Sequence, residues 1–163
     1  MTDEEIMRRC IALAEKATEN GDVPVGAVVV RRSSGEIVGE GYNRREADGC
    51  SLAHAELMAI KQASETLGGW HLTDCALYVT LEPCAMCAGA VINSRVDEVI
   101  WGASDPRFGA CGSKIDLFSL GFNHTPAVRS GVLADECAAL LKSFFRKLRE
   151  RGKRRSRGGD VND

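Results

Sequence analysis

"ALYVTLEPCAMCAGAVINS", residues 76–94, changes its periodicity halfway along. "ALYVTL" is a short run of apolar and β-favouring residues, which predicts a strand. Pro83 suits a first helical turn, so "CAMCAGAVINS" is expected to continue as a helix opened by that proline. Downstream, "VDEVIWGA" (96–103) predicts a further strand and the glycine-rich "DPRFGACGS" (105–113) a loop. "AVRSGVL" (127–133) is expected to hold a short last strand, and Asp135 to cap a final helix with Leu140, Leu141, Phe144, Phe145 and Leu148 on one apolar face.

Upstream, Ile6, Cys10, Leu13 and Ala17 recur at helical steps, so Thr2 to about Asn20 is expected to be a helix stopped by Gly21. "VPVGAVVVRR" reads as a buried strand, and "EIVGEGYN" as its hairpin partner across the turn "SSGE". "AHAELMAIKQASETL" is then a helix ending at Gly68-Gly69. Helices alternate with strands after an initial hairpin. That order predicts a three-layer α/β/α sandwich on a central mixed five-stranded sheet.

The 163 residues amount to one domain, expected over 1–151, followed by a basic, disordered tail over 152–163. An apolar share of 44% with 27% charged residues describes a globular protein. No apolar run approaches the roughly 18 residues of a membrane span, and "MTDEEIMRRC" is too acidic for a secretory signal, so a cytoplasmic protein without membrane partners is expected. Seven cysteines, an odd number, argue for reduced thiols and for metal binding by some of them. The net charge of −2 conceals an asymmetry: from Arg146 onward eight basic side chains face three acidic ones, which leaves the preceding residues at −7. Such a block suits a polyanionic partner or a merely solvated tail.

Cys84 and Cys87 stand three residues apart where a helix begins, on one face, and the free amides of a first turn favour their thiolates. Two sulfurs do not complete a zinc site, and the chain has no second Cys-x-x-Cys. His54, opening the other helix, is the natural third ligand. Three protein ligands leave the fourth tetrahedral position to water, as in catalytic zinc centres, and zinc brings that water's pKa to about 7. Glu56 has the chemistry of a general acid/base beside it. On a regular helix, however, residues two apart diverge by about 200°. His54 and Glu56 reach one site only if His54 lies at the extreme N-terminus of its helix. The compound pattern His-x-Glu…Pro-Cys-x-x-Cys is that of zinc nucleobase deaminases.

With "VPVGAV", "GEGYN", "AHAE", "LYVTLEPCAMCAGA", "GSKID" and "GVLADECAALLKSFFR", the chain resembles the bacterial tRNA-specific adenosine deaminases from about Ile6 to Arg149. The resemblance implies a cytidine deaminase-like fold and hydrolytic conversion of the wobble adenosine of a tRNA anticodon to inosine by a zinc-bound hydroxide. It also implies a homodimer with one Zn2+ per subunit and the anticodon stem-loop as partner. Carried over by position, His54, Cys84 and Cys87 hold the zinc, and Glu56 shuttles protons. Asn43 contacts the target nucleoside and Val25 walls the base. Asp105 and Arg107 meet neighbouring anticodon nucleotides, and Phe145, Arg146 and Arg149 approach RNA from the last helix.

Two departures from the pattern stand out. The loop before His54 reads "DGCSLA", which implies an altered pocket entrance, and Phe108 replaces a small or polar residue common in bacterial members. The altered loop favours an alternative, a zinc deaminase of a free base or nucleoside of guanine or cytosine type; the basic segment argues for RNA, since a free base offers no phosphates. A non-catalytic zinc protein that binds RNA has no use for Glu56. Cys10, Cys75 and Cys137 read as small core residues, Cys50 and Cys111 as loop residues without a nearby base, and His71 and His124 as non-ligand histidines. Met58 and Ile60 are expected in the core of the His54 helix.

Overall fold

The computed structural model describes residues 1–159. Helix α1, Asp3–Glu19, starts at a capping box in which the Thr2 hydroxyl accepts from the Glu5 amide at 3.2 Å and the Glu5 carboxylate accepts from the Thr2 amide at 2.7 Å. Strands β1 (Gly26–Arg31) and β2 (Glu36–Tyr42) form the expected antiparallel hairpin. A short helix α2 (Arg45–Asp48), α3 (Ala55–Leu67), β3 (Cys75–Leu81), α4 (Ala85–Ser94) and β4 (Glu98–Ala103) follow. A 3-10 turn at Leu117–Ser119, β5 (Ala127–Ser130) and α5 (Ala134–Gly159) complete the order.

The sheet runs β2-β1-β3-β4-β5, antiparallel among the first three strands and parallel among the last three. This is the predicted mixed five-stranded sheet. Alternation along the central strands divides the core. Val28, Val30, Tyr78 and Ile100 pack with Ile6, Met7, Cys10 and Leu13 of α1 and Cys137 of α5. Val29, Leu77, Val79 and Val99 pack with Ala55, Ala59 and Ala63 of α3 and Ala88 and Val91 of α4. The result is the α/β/α sandwich, its two buried sets on opposite faces as the two-residue period of a strand requires.

Close approach fixes how the helices seat. A Cβ on Gly41 would stand 2.4 Å from the carbonyl oxygen of Ala55, and one on Gly26 would stand 2.0 Å from that of Cys10. Glycine in β2 therefore lets the first turn of α3 lie directly on the sheet. This seating explains why alanines of α3 form the core, whereas Met58 and Ile60, expected there, are only half-buried.

Several boundaries differ from those expected. Pro83 precedes α4, and Cys84, with extended φ and ψ of −74° and 177°, is its N-cap. Helix α5 starts at Ala134 after Leu133, which has a φ of 52°, so Asp135 lies in the first turn, where its charge still favours the positive helix end. Residues 152–159, expected as a disordered tail, continue α5. Gly152 weakens that helix by about 1 kcal/mol, but the arginines and lysine after it are good helix formers. Residues 160–163, the rest of the expected tail, lie outside the described residues. Cys10, Cys75 and Cys137 are buried as expected. His124 is tied to the Val96 carbonyl oxygen through Nε2 at 2.6 Å, and no helix among the described residues is long and apolar enough to cross a membrane.

Candidate active site and metal centre

Two helix starts converge beside the β3 end of the sheet. His54 is the N-cap of α3, with φ −80° and ψ 148°, and Cys84 is the N-cap of α4. The geometric difficulty of His54 and Glu56 is resolved here, because an N-cap residue has not yet entered the helical projection. Both side chains line one cavity.

His54 Nδ1 lies 3.7 Å from Cys84 Sγ and 3.6 Å from Cys87 Sγ, and the three ligand atoms fall within 4.8 Å of one another. Zinc bonds of about 2.3 Å to sulfur and 2.0–2.1 Å to nitrogen, set on a tetrahedron, separate such atoms by about 3.6–3.8 Å. The spacing fits. The electrostatics point the same way. The hydrogen bond from Cys87, then that from His54, pulls the Cys84 thiol down to about 4, while the Cys84 sulfur pushes Cys87 well up. His54 is raised, first by its bond to Cys84. Two thiolates and a neutral imidazole are the forms that ligate a metal, so binding at this cluster releases protons.

Glu56 is 4% exposed, and burial above all raises its pKa over the ordinary carboxylate range. A carboxyl beside a metal position can both accept a proton and return it.

The cavity, of about 830 Å³, opens from this cluster between α5 and the 104–113 loop. Val25 and Asn43 line it. The Asn43 side-chain amide is held by frame atoms: its Nδ2 donates to the Val23 carbonyl at 3.3 Å and its Oδ1 accepts from the Arg45 amide at 3.3 Å. Asp105 and Phe145 also line the cavity, as does Phe144, packed edge-to-face on Phe145 at 5.4 Å. The two rings thus share one cavity. Arg107, Arg146 and Arg149 are exposed and do not line it, and neither do Cys50 and Ser51 of the "DGCSLA" loop.

Sequence reasoning missed Glu82, buried at 2% exposure just before Pro83. Its carboxylate accepts from the amides of Asp105 at 3.2 Å, Cys111 at 3.1 Å and Ser113 at 3.1 Å, and from the Ser113 hydroxyl. One side chain thereby pins both ends of the cavity-lining loop. Its signal in the sequence was a lone carboxylate inside an apolar run. Asp22, also missed, accepts from the amides of Glu46 and Ala47 at 2.7 and 3.2 Å and so fixes α2 at the cavity edge.

The chain belongs to a family of zinc-dependent hydrolases: its residues 1–103 match the cytidine and deoxycytidylate deaminase zinc-binding region. Within that class its similarity is to enzymes of tRNA. It is 48% identical to the tRNA-specific adenosine deaminase of Bacillus subtilis strain 168 over 155 residues, covering 94% of this chain and 95% of the relative. With the enzyme of the same description from Haemophilus influenzae the identity is 45%, covering 93% and 87%. A structure solved in work on A-to-I editing by tRNA:A34 deaminases at the wobble position superimposes with a TM-score of 0.81 at 38% identity, covering 84% of this chain and 99% of that one. The guanine deaminase of Nitrosomonas europaea gives a TM-score of 0.70 at 28% identity, covering 86% and 83%.

Proposed function

We propose that the protein hydrolyses the wobble adenosine of a tRNA anticodon to inosine and ammonia. The observation that carries this reading is the convergence of His54, Cys84 and Cys87 at ligand spacing beside buried Glu56, at the base of a cavity with room for a nucleoside and an open mouth. His54 Nδ1 and the sulfurs of Cys84 and Cys87 hold one zinc per subunit. Zinc, when bound, supplies a Lewis acid that lets water ionise near neutrality. Val25 walls the base, and the Asn43 amide, fixed by backbone on both sides, orients the nucleoside. Glu56 takes a proton from the attacking water and returns it to the exocyclic nitrogen. The new bond joins that oxygen to C6, and the C6–N bond breaks with loss of ammonia.

Asp105 and Phe145 at the mouth meet neighbouring nucleotides of the stem-loop. Arg107, Arg146 and Arg149, outside the cavity, meet phosphates, a use supported by their exposure and, for Arg146 and Arg149, by the +5 segment that begins at Arg146. A cytoplasmic homodimer goes with this reading, and the exposed Leu52, Leu120 and Phe122 offer apolar surface for its interface.

Incubation with an anticodon stem-loop carrying wobble adenosine is expected to raise the RNA mass by about one unit, amine exchanged for oxygen. Zinc-loaded protein that leaves this RNA unchanged while releasing ammonia from free guanine would establish the base deaminase instead.

A further inference from the structure

The 104–113 loop displays a side chain that the fold itself does not use. Phe108 lines the cavity yet is 68% exposed, more than any other large apolar side chain among the described residues. Its backbone is held on both sides. Asp105 Oδ1 accepts from the amides of Arg107 at 3.0 Å and Phe108 at 3.2 Å, and Glu82 ties down the residues before and after. Next to it, a Cβ on Gly109 would stand 2.3 Å from Glu82 Oε2, so the chain there is pressed against the buried carboxylate. An aromatic ring on so fixed a backbone is presented to a ligand rather than left over from packing.

The surroundings indicate what ligand. Arg107 beside it, and Arg45 and Arg155 lining the same cavity, make no ion pair among the described residues, whereas neighbouring Arg44 is paired with Asp48. Free guanidinium groups around an exposed ring suit an unstacked nucleobase with its phosphates, which offers a π-face and negative charge together. We propose that Phe108 is a stacking platform for the base adjoining the target adenosine, a role that rests on the reading of the substrate as a tRNA loop. An unpaired neighbour loses its stacking partner when the target enters the cavity. The ring replaces that partner.

The test uses the zinc-loaded full chain and anticodon stem-loops with 2-aminopurine immediately before or after the target. One of the two positions is expected to be quenched on binding wild type and Phe108→Trp, and to stay bright with Phe108→Ala. Phe108→Ala should raise KM about tenfold, in line with one lost stacking contact, at unchanged zinc content and Tm. Removing that neighbouring base should bring wild type to the variant's KM and leave the variant where it was. Equal KM and equal quenching in wild type and Phe108→Ala would overturn the platform while leaving deamination of the stem-loop standing. A KM loss in Phe108→Ala that persists with the abasic RNA would overturn it too, assigning the ring to another contact. Wild type that does not deaminate the stem-loop would remove the functional reading and the platform together.

Discussion

Glu56→Gln is expected to fold, to retain zinc at the wild-type ratio, and to deaminate the anticodon stem-loop about 10²–10⁴-fold more slowly. Glutamine keeps the volume of a side chain that is 4% exposed, so the cavity and the ligand cluster stay in place. What it removes is the ionisable oxygen. In the proposed reaction Glu56 makes two transfers, one from water and one to the leaving nitrogen, and an amide performs neither. Burial raises the pKa of the native carboxyl above the ordinary carboxylate range, which favours its holding a proton between the two transfers. Single-turnover rates with parallel metal analysis check this. A variant within a few-fold of wild type would transfer the proton role to another group.

The second large effect lies away from the chemistry. Gly41→Ala puts a methyl group 2.4 Å from the Ala55 carbonyl oxygen and 2.8 Å from the Ala59 amide nitrogen, both backbone atoms of α3. Neither can move without shifting the helix. The cost is expected to reach the upper end of ordinary overpacking, about 3 kcal/mol, and the Tm to fall by roughly 6–12 °C. Since His54 caps α3, displacement of the helix also separates the imidazole from the sulfurs of Cys84 and Cys87. Thermal unfolding and zinc titration should therefore change together. An unaltered Tm would mean that α3 is not seated on β2 through this glycine.

The same position shows what could be read in advance and what could not. "GEGYN" carried strand character and the candidate Asn43, but nothing in its local pattern says that a helix beginning 14 residues later lies on Gly41. The candidate cluster His54, Cys84 and Cys87 was legible because His-x-Glu and Pro-Cys-x-x-Cys carry their chemistry in their spacing. The N-cap geometry of His54 and Cys84 was legible only as a condition, since capping depends on backbone angles. Helix α2 is four residues long, too short to show a period. Glu82 was hidden for a different reason: its value lies in amides of Asp105, Cys111 and Ser113, 23 to 31 residues away. The extension of α5 was masked by Gly152 and a run of like charge, which suppress the amphipathic pattern without preventing a helix.

In the proposed centre one ion sits between an imidazole and two sulfurs brought together by two helix starts. Zinc-edge X-ray absorption on purified, active protein tests it most directly. The account predicts one zinc per chain, with two sulfurs at about 2.3 Å and nitrogen or oxygen neighbours at about 2.0–2.1 Å, and loss of one sulfur in Cys87→Ser. A shell without sulfur, a shell of four sulfurs, or full activity in metal-free protein would contradict it.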